Sequence, residues 1–139
     1  MSAYGSDRFQ NEALLVSRVL LVLLFLIFGW QKLNGFSGTV SYMSATHVPV
    51  PFVATIVAIA VELLVSAAIV VGFMTRPFSL LMAVYALATA FLAHHYWTMT
   101  GMARYENEIN FFKNVSIVAG FILLYVSGPG RYSIDRPTP

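Results

Sequence analysis

Four long apolar runs dominate the sequence and constrain what this chain can fold into. They cover about residues 13–33, 52–73, 78–97 and 109–126. Each is close to the roughly 20 residues that an α-helix needs to cross a bilayer. Only 10% of the residues are charged, whereas a soluble domain carries about 25%. The sequence therefore predicts an all-α integral membrane protein, a four-helix bundle in contact with the lipid bilayer, formed by a single domain over residues 1–139.

The connection between the first two runs, residues 34–50, is too long for a simple turn. It contains apolar residues at helical spacing: Phe36, Val40 and Met43. This pattern predicts a short amphipathic helix that lies flat at the outer membrane interface. Such a helix would either cover a polar site or simply connect the two spans.

Lysine and arginine residues fall unequally on the two sides of the predicted bundle. An even number of spans puts both termini on one side, which then carries Arg8, Arg18, Arg76, Arg131 and Arg136. The other side carries three basic residues: Lys32, Arg104 and Lys113. The positive-inside tendency therefore predicts that both termini are cytoplasmic. Because the first run is long and no cleavage site follows it, we expect this span to stay in the mature protein.

The few polar residues inside the apolar runs recur on faces rich in small residues. Such faces let membrane helices approach closely, so we expect them to point inward. The faces are Arg18, Val22, Phe25, Gly29 and Lys32; Ala54, Ala58, Glu62 and Ser66; Ala83, Ala86, Ala90, His94 and Trp97; and Asn110, Lys113, Ser116 and Gly120.

Glu62 lies midway along the second run, where an acidic group needs a partner. Arg18 and Lys113 are both candidates, and we favour a pair between Arg18 and Glu62. Lys113 then joins an outer cluster with Gln31, Lys32, His94 and Asn110. Glu62 itself is either a proton or ligand site or one half of a structural salt bridge.

The histidines suggest hydrogen bonding more than metal binding. Adjacent His94 and His95 diverge on a helix by roughly 100°, and the chain has no cysteine to add a thiolate, so we predict neither a metal site nor an intrinsic cofactor. His94, Asn110 and Lys113 offer hydrogen-bond donors at the depth where the head group of a quinone, or another carbonyl head group, would lie. The competing interpretation is a network that only ties the third helix to the fourth. With no basic face in the sequence, no nucleic-acid partner is expected.

Several motifs of the chain resemble those of the DoxX family, which comprises small four-helix bacterial membrane proteins. The resemblance is closest to its YphA-like inner-membrane branch and covers nearly the whole chain. The motifs are GWQKL at 29–33, VELL around Glu62, GFMTRP at 72–77, HHYW at 94–97, NFFKNVSI at 110–117 and GPGRYSID at 128–135. One departure is Val65-Ser66-Ala67, where many relatives have paired glycines.

The resemblance implies a protein of the bacterial inner membrane. It implies that the family's polar signature falls on Arg18, Lys32, Glu62, Arg76, His94, Asn110, Lys113 and Asn114. Family members include a small subunit of thiosulfate:quinone oxidoreductase and a membrane partner of redox-stress enzymes.

We therefore expect a membrane subunit or anchor of quinone-linked redox enzymes, with a polar pocket near the outer face that binds the quinone head group. Other enzyme subunits or a second copy of the chain are the expected partners. The alternatives are a structural or assembly partner with no chemistry of its own, and a small proton-coupled transporter or channel that uses Glu62. The candidate functional residues are Arg18, Gln31, Lys32, Glu62, His94, His95, Asn110, Lys113 and Asn114.

Overall fold

Helices account for nearly all of the described chain. The computed structural model describes the backbone of residues 3–135 and the side chains of residues 7–135, so that Arg136 lies outside the described residues. The elements in chain order are α1 (Ala3–Asn34), α2 (Phe36–Ala45), α3 (Pro51–Ala60), a π-helical turn (Val61–Val65), α4 (Ser66–Val71), α5 (Thr75–Ala93), a short 3₁₀ turn (Tyr96–Thr98) and α6 (Gly101–Ser127).

Four helical stretches are long and apolar enough to cross a membrane. They are Asp7–Asn34, Pro51–Val71, Thr75–Thr98 and Gly101–Ser127. The prediction of an all-α membrane bundle is therefore confirmed. The first and fourth helices begin earlier than their apolar runs, because polar residues continue the same helix. One such continuation is supported by the ion pair between Arg8 and Glu12, one helical turn apart.

The core lies between two helix pairs. α1 packs against the α3–α4 helix, α5 packs against α6, and large apolar side chains fill the space between the pairs. The ring centroids of Phe25 on α1 and Phe121 on α6 lie 5.8 Å apart. Ile69 and Met82 are fully buried beside them.

The predicted inward faces of the first and second helices are confirmed, and the predicted face of α6 was wrong. Arg18, Gly29, Glu62 and Ser66 are buried, whereas Lys113 and Ser116 are exposed. On α6 the buried face instead carries Asn114, Phe121 and Leu124. Neutral Asn114 can share a hydrogen bond inside the bundle, whereas an unpaired lysine there would be costly.

The short helix between the first two spans is α2, as predicted. It packs against the start of α3, where the rings of Phe36 and Phe52 lie 5.4 Å apart. None of its residues is buried. Its angle to the membrane plane stays a prediction.

Gly29 sets the depth at which α1 meets the π-helical turn. A Cβ atom added to Gly29 would lie only 2.8 Å from the Cβ of Glu62. The two backbones therefore approach closely at this one level, which fixes the antiparallel register of the pair.

We predict that Gly29→Ala destabilises the bundle, because the new methyl group forces the two helices apart. Overpacking of this kind costs about 1–3 kcal/mol. Gly38→Ala is the matched control, since a Cβ there meets nothing within 4 Å. Thermal unfolding in mild detergent should show a lower midpoint for Gly29→Ala only. Equal midpoints for the two variants would contradict the close approach.

Candidate functional site

The carboxylate of Glu62 is buried inside the bundle and has hydrogen-bond donors on both oxygens. The Lys32 ammonium lies 2.8 Å from Oε2, and the Tyr85 hydroxyl donates to Oε1 at 2.6 Å. The side chain of Glu62 is only 7% exposed and that of Lys32 is 25% exposed. We call Lys32, Glu62 and Tyr85 the central cluster.

The sequence builds this cluster from three separate helices. Lys32 follows Gly29 by about one turn, and helical side chains lean toward the N-terminus, so Lys32 reaches back to the level of Glu62. The turn between α4 and α5 is nearly equidistant from Glu62 and Tyr85 along the chain, which brings these two to the same depth. The Phe28 ring lies 5.8 Å from the Lys32 ammonium and supports it by a cation–π contact.

The backbone at Glu62 is itself unusual. Residues Val61–Val65 form a π-helical turn between α3 and α4. Single π-helical turns occur frequently at functional sites. Ser66 begins α4, and its hydroxyl is fully buried with no hydrogen-bond partner among the described residues. Ser66, four residues after Glu62, therefore offers a hydroxyl group that is available for a further hydrogen bond.

An ion pair stabilises the central cluster in surroundings of low dielectric constant. Breaking a buried ion pair by removing one partner is strongly destabilising, because the remaining charge is left without compensation. The cluster also connects α1, the π-helical turn and α5. It therefore fixes the positions of three elements at one depth.

The predicted pair between Arg18 and Glu62 was wrong, and Lys113 does not contact Glu62 either. Gly29 is level with Glu62, and Arg18 precedes Gly29 by eleven residues, a distance of about 16 Å along the helix axis. Arg18 is instead buried near the ends of α4 and α6. It donates hydrogen bonds to the carbonyl oxygens of Val70 at 3.1 Å, Tyr132 at 2.6 Å and Pro129.

The C-terminal segment, residues 128–135, folds back over Arg18. The amides of Ile134 and Asp135 donate to the carbonyls of Val71 and Gly72 at 3.1 and 2.7 Å. The Asp135 carboxylate accepts hydrogen bonds from the amides of Met74 and Thr75 at 2.8 and 2.7 Å, which caps the start of α5. Partial burial alone would raise the pKa of Asp135, but these hydrogen bonds and the charge of Arg18 hold that pKa below its ordinary value.

The predicted outer cluster does not form as one group. Gln31 is exposed, Lys32 belongs to the central cluster, and the Lys113 ammonium donates to Asn110 on its own helix at 2.8 Å. Because α6 turns its Asn114 face inward, Lys113 lies on the outer surface of the bundle.

Two hydrogen bonds connect α6 to the third span: one is made to α5 and the other to His94, the residue just after α5. His94 Nδ1 lies 3.0 Å from Asn107 Oδ1, and Asn114 donates to the Thr89 hydroxyl at 3.2 Å. α5 ends at Ala93, so His94 and His95 lie in the connecting loop, where His95 contacts the carbonyl of Leu92. This arrangement matches the interpretation of a network that ties the third helix to the fourth.

Sequence reasoning missed Tyr85 and Asp135. Tyr85 had a signal, because it is the tyrosine that lies as far after the α4–α5 turn as Glu62 lies before it. Asp135 had none, since its role depends on the fold of the C-terminal segment. Among residues 7–135, no three His, Asp or Glu side chains are grouped as metal ligands would be.

Comparison with known proteins places the central cluster in a matched region. The DoxX family model matches residues 13–95. The chain is 50% identical to inner membrane protein YphA of Escherichia coli K12 over 123 residues, 88% of each chain. It is 41% identical to inner membrane protein YqjF of the same organism, over 93% of this chain and 94% of the relative. A Surfeit locus protein 4 homolog of Schizosaccharomyces pombe is 28% identical over 72 residues, half of this chain and 24% of the relative. No solved structure matches the chain.

We predict a strong energetic coupling between Lys32 and Glu62. A double-mutant cycle with Lys32→Met and Glu62→Gln should give about 1–3 kcal/mol, as expected for contacting groups in one network. The same cycle on the exposed Arg8–Glu12 pair is the control and should give at most about 0.5 kcal/mol. Unfolding free energies in mild detergent provide the measurement. A coupling near zero at Lys32–Glu62 would contradict the buried pair.

We also predict that docking of the C-terminal segment depends on pH. Since the pKa of Asp135 is lowered in the folded state, its contribution is full at neutral pH and is lost as the pH falls below about 4. Hydrogen-exchange protection factors of the Ile134 and Asp135 amides should fall in that range. Asp135→Asn should show low protection already at neutral pH. Protection that is equal in both proteins at every pH would refute this role.

Proposed function

The chain belongs to the DoxX family of small inner membrane proteins, and from that premise we propose that it is a membrane subunit of a quinone-linked redox enzyme. In this proposal the central cluster binds the quinone head group, and a partner subunit with its own redox cofactor supplies the electrons. The observation that carries the proposal is the buried Glu62 carboxylate, held between Lys32 and Tyr85 at a π-helical turn.

The donor set of the central cluster suits a carbonyl oxygen. Lys32 has three N–H donors, of which one is used by Glu62. The Ser66 hydroxyl is buried and unpartnered among the described residues, so a ligand carbonyl would satisfy it. In this proposal the two carbonyl oxygens of the head group accept hydrogen bonds from Lys32 and Ser66, whereas a purely apolar ligand would leave these donors unsatisfied.

The residues of the cluster also suit proton transfer. A quinone takes up two protons with two electrons when it is reduced. Tyr85 and Lys32 each hold a proton next to the Glu62 carboxylate. The Lys32 side chain is 25% exposed and that of Glu62 only 7%, so Lys32 is the more accessible member of the ion pair. Protons would therefore enter by way of Lys32.

A purely structural role is the second candidate, and one observation favours it. Both oxygens of Glu62 already have donors within the chain. The cluster would then serve to hold α1, the π-helical turn and α5 in register, and no ligand would be required.

Quinone content after gentle purification tests the proposal. We predict that the wild type retains quinone and that Lys32→Gln and Glu62→Gln lose about tenfold or more. Lys32→Gln removes a charged hydrogen bond to the head group, worth about 1.5–3 kcal/mol, and Glu62→Gln removes the carboxylate that positions Lys32. Gln31→Ala is the matched control, since this exposed neighbour of Lys32 lies outside the cluster. Extracted quinone per protein is measured by mass spectrometry.

The same experiment distinguishes the two candidates. If the wild type contains no quinone above the lipid background and the variants only unfold at lower temperature, the cluster is structural. Equal quinone in the wild type and in both cluster variants would place the head group elsewhere and contradict the proposed site.

A further inference from the structure

The outward face of α6 has a regular pattern. Exposed residues alternate at spacings of four and three along the helix, opposite the buried face that carries Asn114 and Phe121. They include Tyr105, Ile109, Phe112, Ser116, Ala119 and Leu123. This is the spacing of the a and d positions of a heptad repeat, the pattern by which two helices pack along their length.

Two charges of opposite sign lie on either side of this stripe. With Ile109 and Phe112 as a and d, Glu108 occupies a g position and Lys113 the following e position. In parallel helix pairs a g residue contacts the e residue of the next heptad on the other helix, five positions later. Glu108 and Lys113 have this separation. Among the described residues, neither has an ion-pair partner within the chain.

A groove on the surface of α6 coincides with these positions. It is lined by Tyr105, Glu108, Ile109, Phe112, Lys113 and Ser116. Large side chains border the groove, while Ser116 leaves space at its end. A helix with the same sequence would place its own large residues into such a groove.

The depth of Lys113 makes a lipid-facing position costly. Asn114 is level with Thr89, to which it donates a hydrogen bond. Thr89 follows Tyr85 by four residues and Lys113 precedes Asn114 by one, so Lys113 lies only about 7–8 Å along the bundle axis from the level of Glu62. Charged residues at such depth are found paired or facing a protein interior. Asn110, the intrachain partner of Lys113, carries no charge.

We propose that this face of α6 forms a parallel, two-fold symmetric dimer interface with a second copy of the chain. Glu108 of each copy pairs with Lys113 of the partner subunit, so the interface closes with two equivalent ion pairs. Both copies keep the same orientation in the membrane, as a parallel pair requires. The inference rests on the surface of α6 and on its depth in the bundle, and it does not depend on whether the central cluster binds a quinone.

Disulfide cross-linking in native membranes tests the interface. The chain contains no cysteine, so each introduced cysteine reports on its own position. Ser116→Cys lies at an a position and should give a disulfide-linked dimer. Leu64→Cys is the matched control, because Leu64 is 71% exposed on another face of the bundle. We expect severalfold more linked dimer from Ser116→Cys than from the control.

Charge exchange provides the second arm of the test. In the Ser116→Cys background, Lys113→Glu places acids opposite acids and should reduce linkage to the control level. Adding Glu108→Lys exchanges the charges and should restore linkage. The proposal is overturned if Ser116→Cys links no more than Leu64→Cys, as a lipid-covered face would. It is also overturned if the linked species contains a different protein, or if the double exchange fails to restore the dimer.

Discussion

The ion pair between Lys32 and Glu62 is the interaction on which the rest of the structure depends. A carboxylate inside a membrane bundle needs a partner of opposite charge. Glu62 has this partner in Lys32, which lies near the end of α1. The pair requires that α1 approach the π-helical turn closely, which Gly29 allows. Tyr85 then joins α5 to the same carboxylate. One buried charge thus determines the depth and register of three elements.

Arg18 is a buried charge at the other end of the bundle, and it is stabilised by hydrogen bonds. Among the described residues it forms no ion pair, and its two terminal guanidinium nitrogens donate to backbone carbonyl oxygens of α4 and the C-terminal segment. Asp135 fastens that segment to the start of α5. The bundle is therefore fixed at two levels, whereas the outward face of α6 is left to interact with lipid or protein.

The sequence was sufficient for the fold but only in part for the site. Apolar runs of membrane length predicted the helices, and small-residue spacing predicted the inward faces that contain Arg18, Gly29 and Glu62. The ion-pair partner of Glu62 depends on the axial position of α1 relative to α3. Hydrophobic periodicity gives the face of each helix but not this axial offset. Likewise, the rotation of α6 depends on whether Asn114 or Lys113 is buried, and both lie in the same polar stretch.

The most direct test of the central ion pair is a distance measurement in lipid bilayers. Solid-state NMR can measure the dipolar coupling between the Lys32 side-chain nitrogen and the Glu62 carboxyl carbon in selectively labelled protein. The nitrogen lies 2.8 Å from a carboxyl oxygen, so a strong coupling is expected. A Glu62 carboxyl carbon that couples to Arg18, or to no basic side chain, would contradict the account.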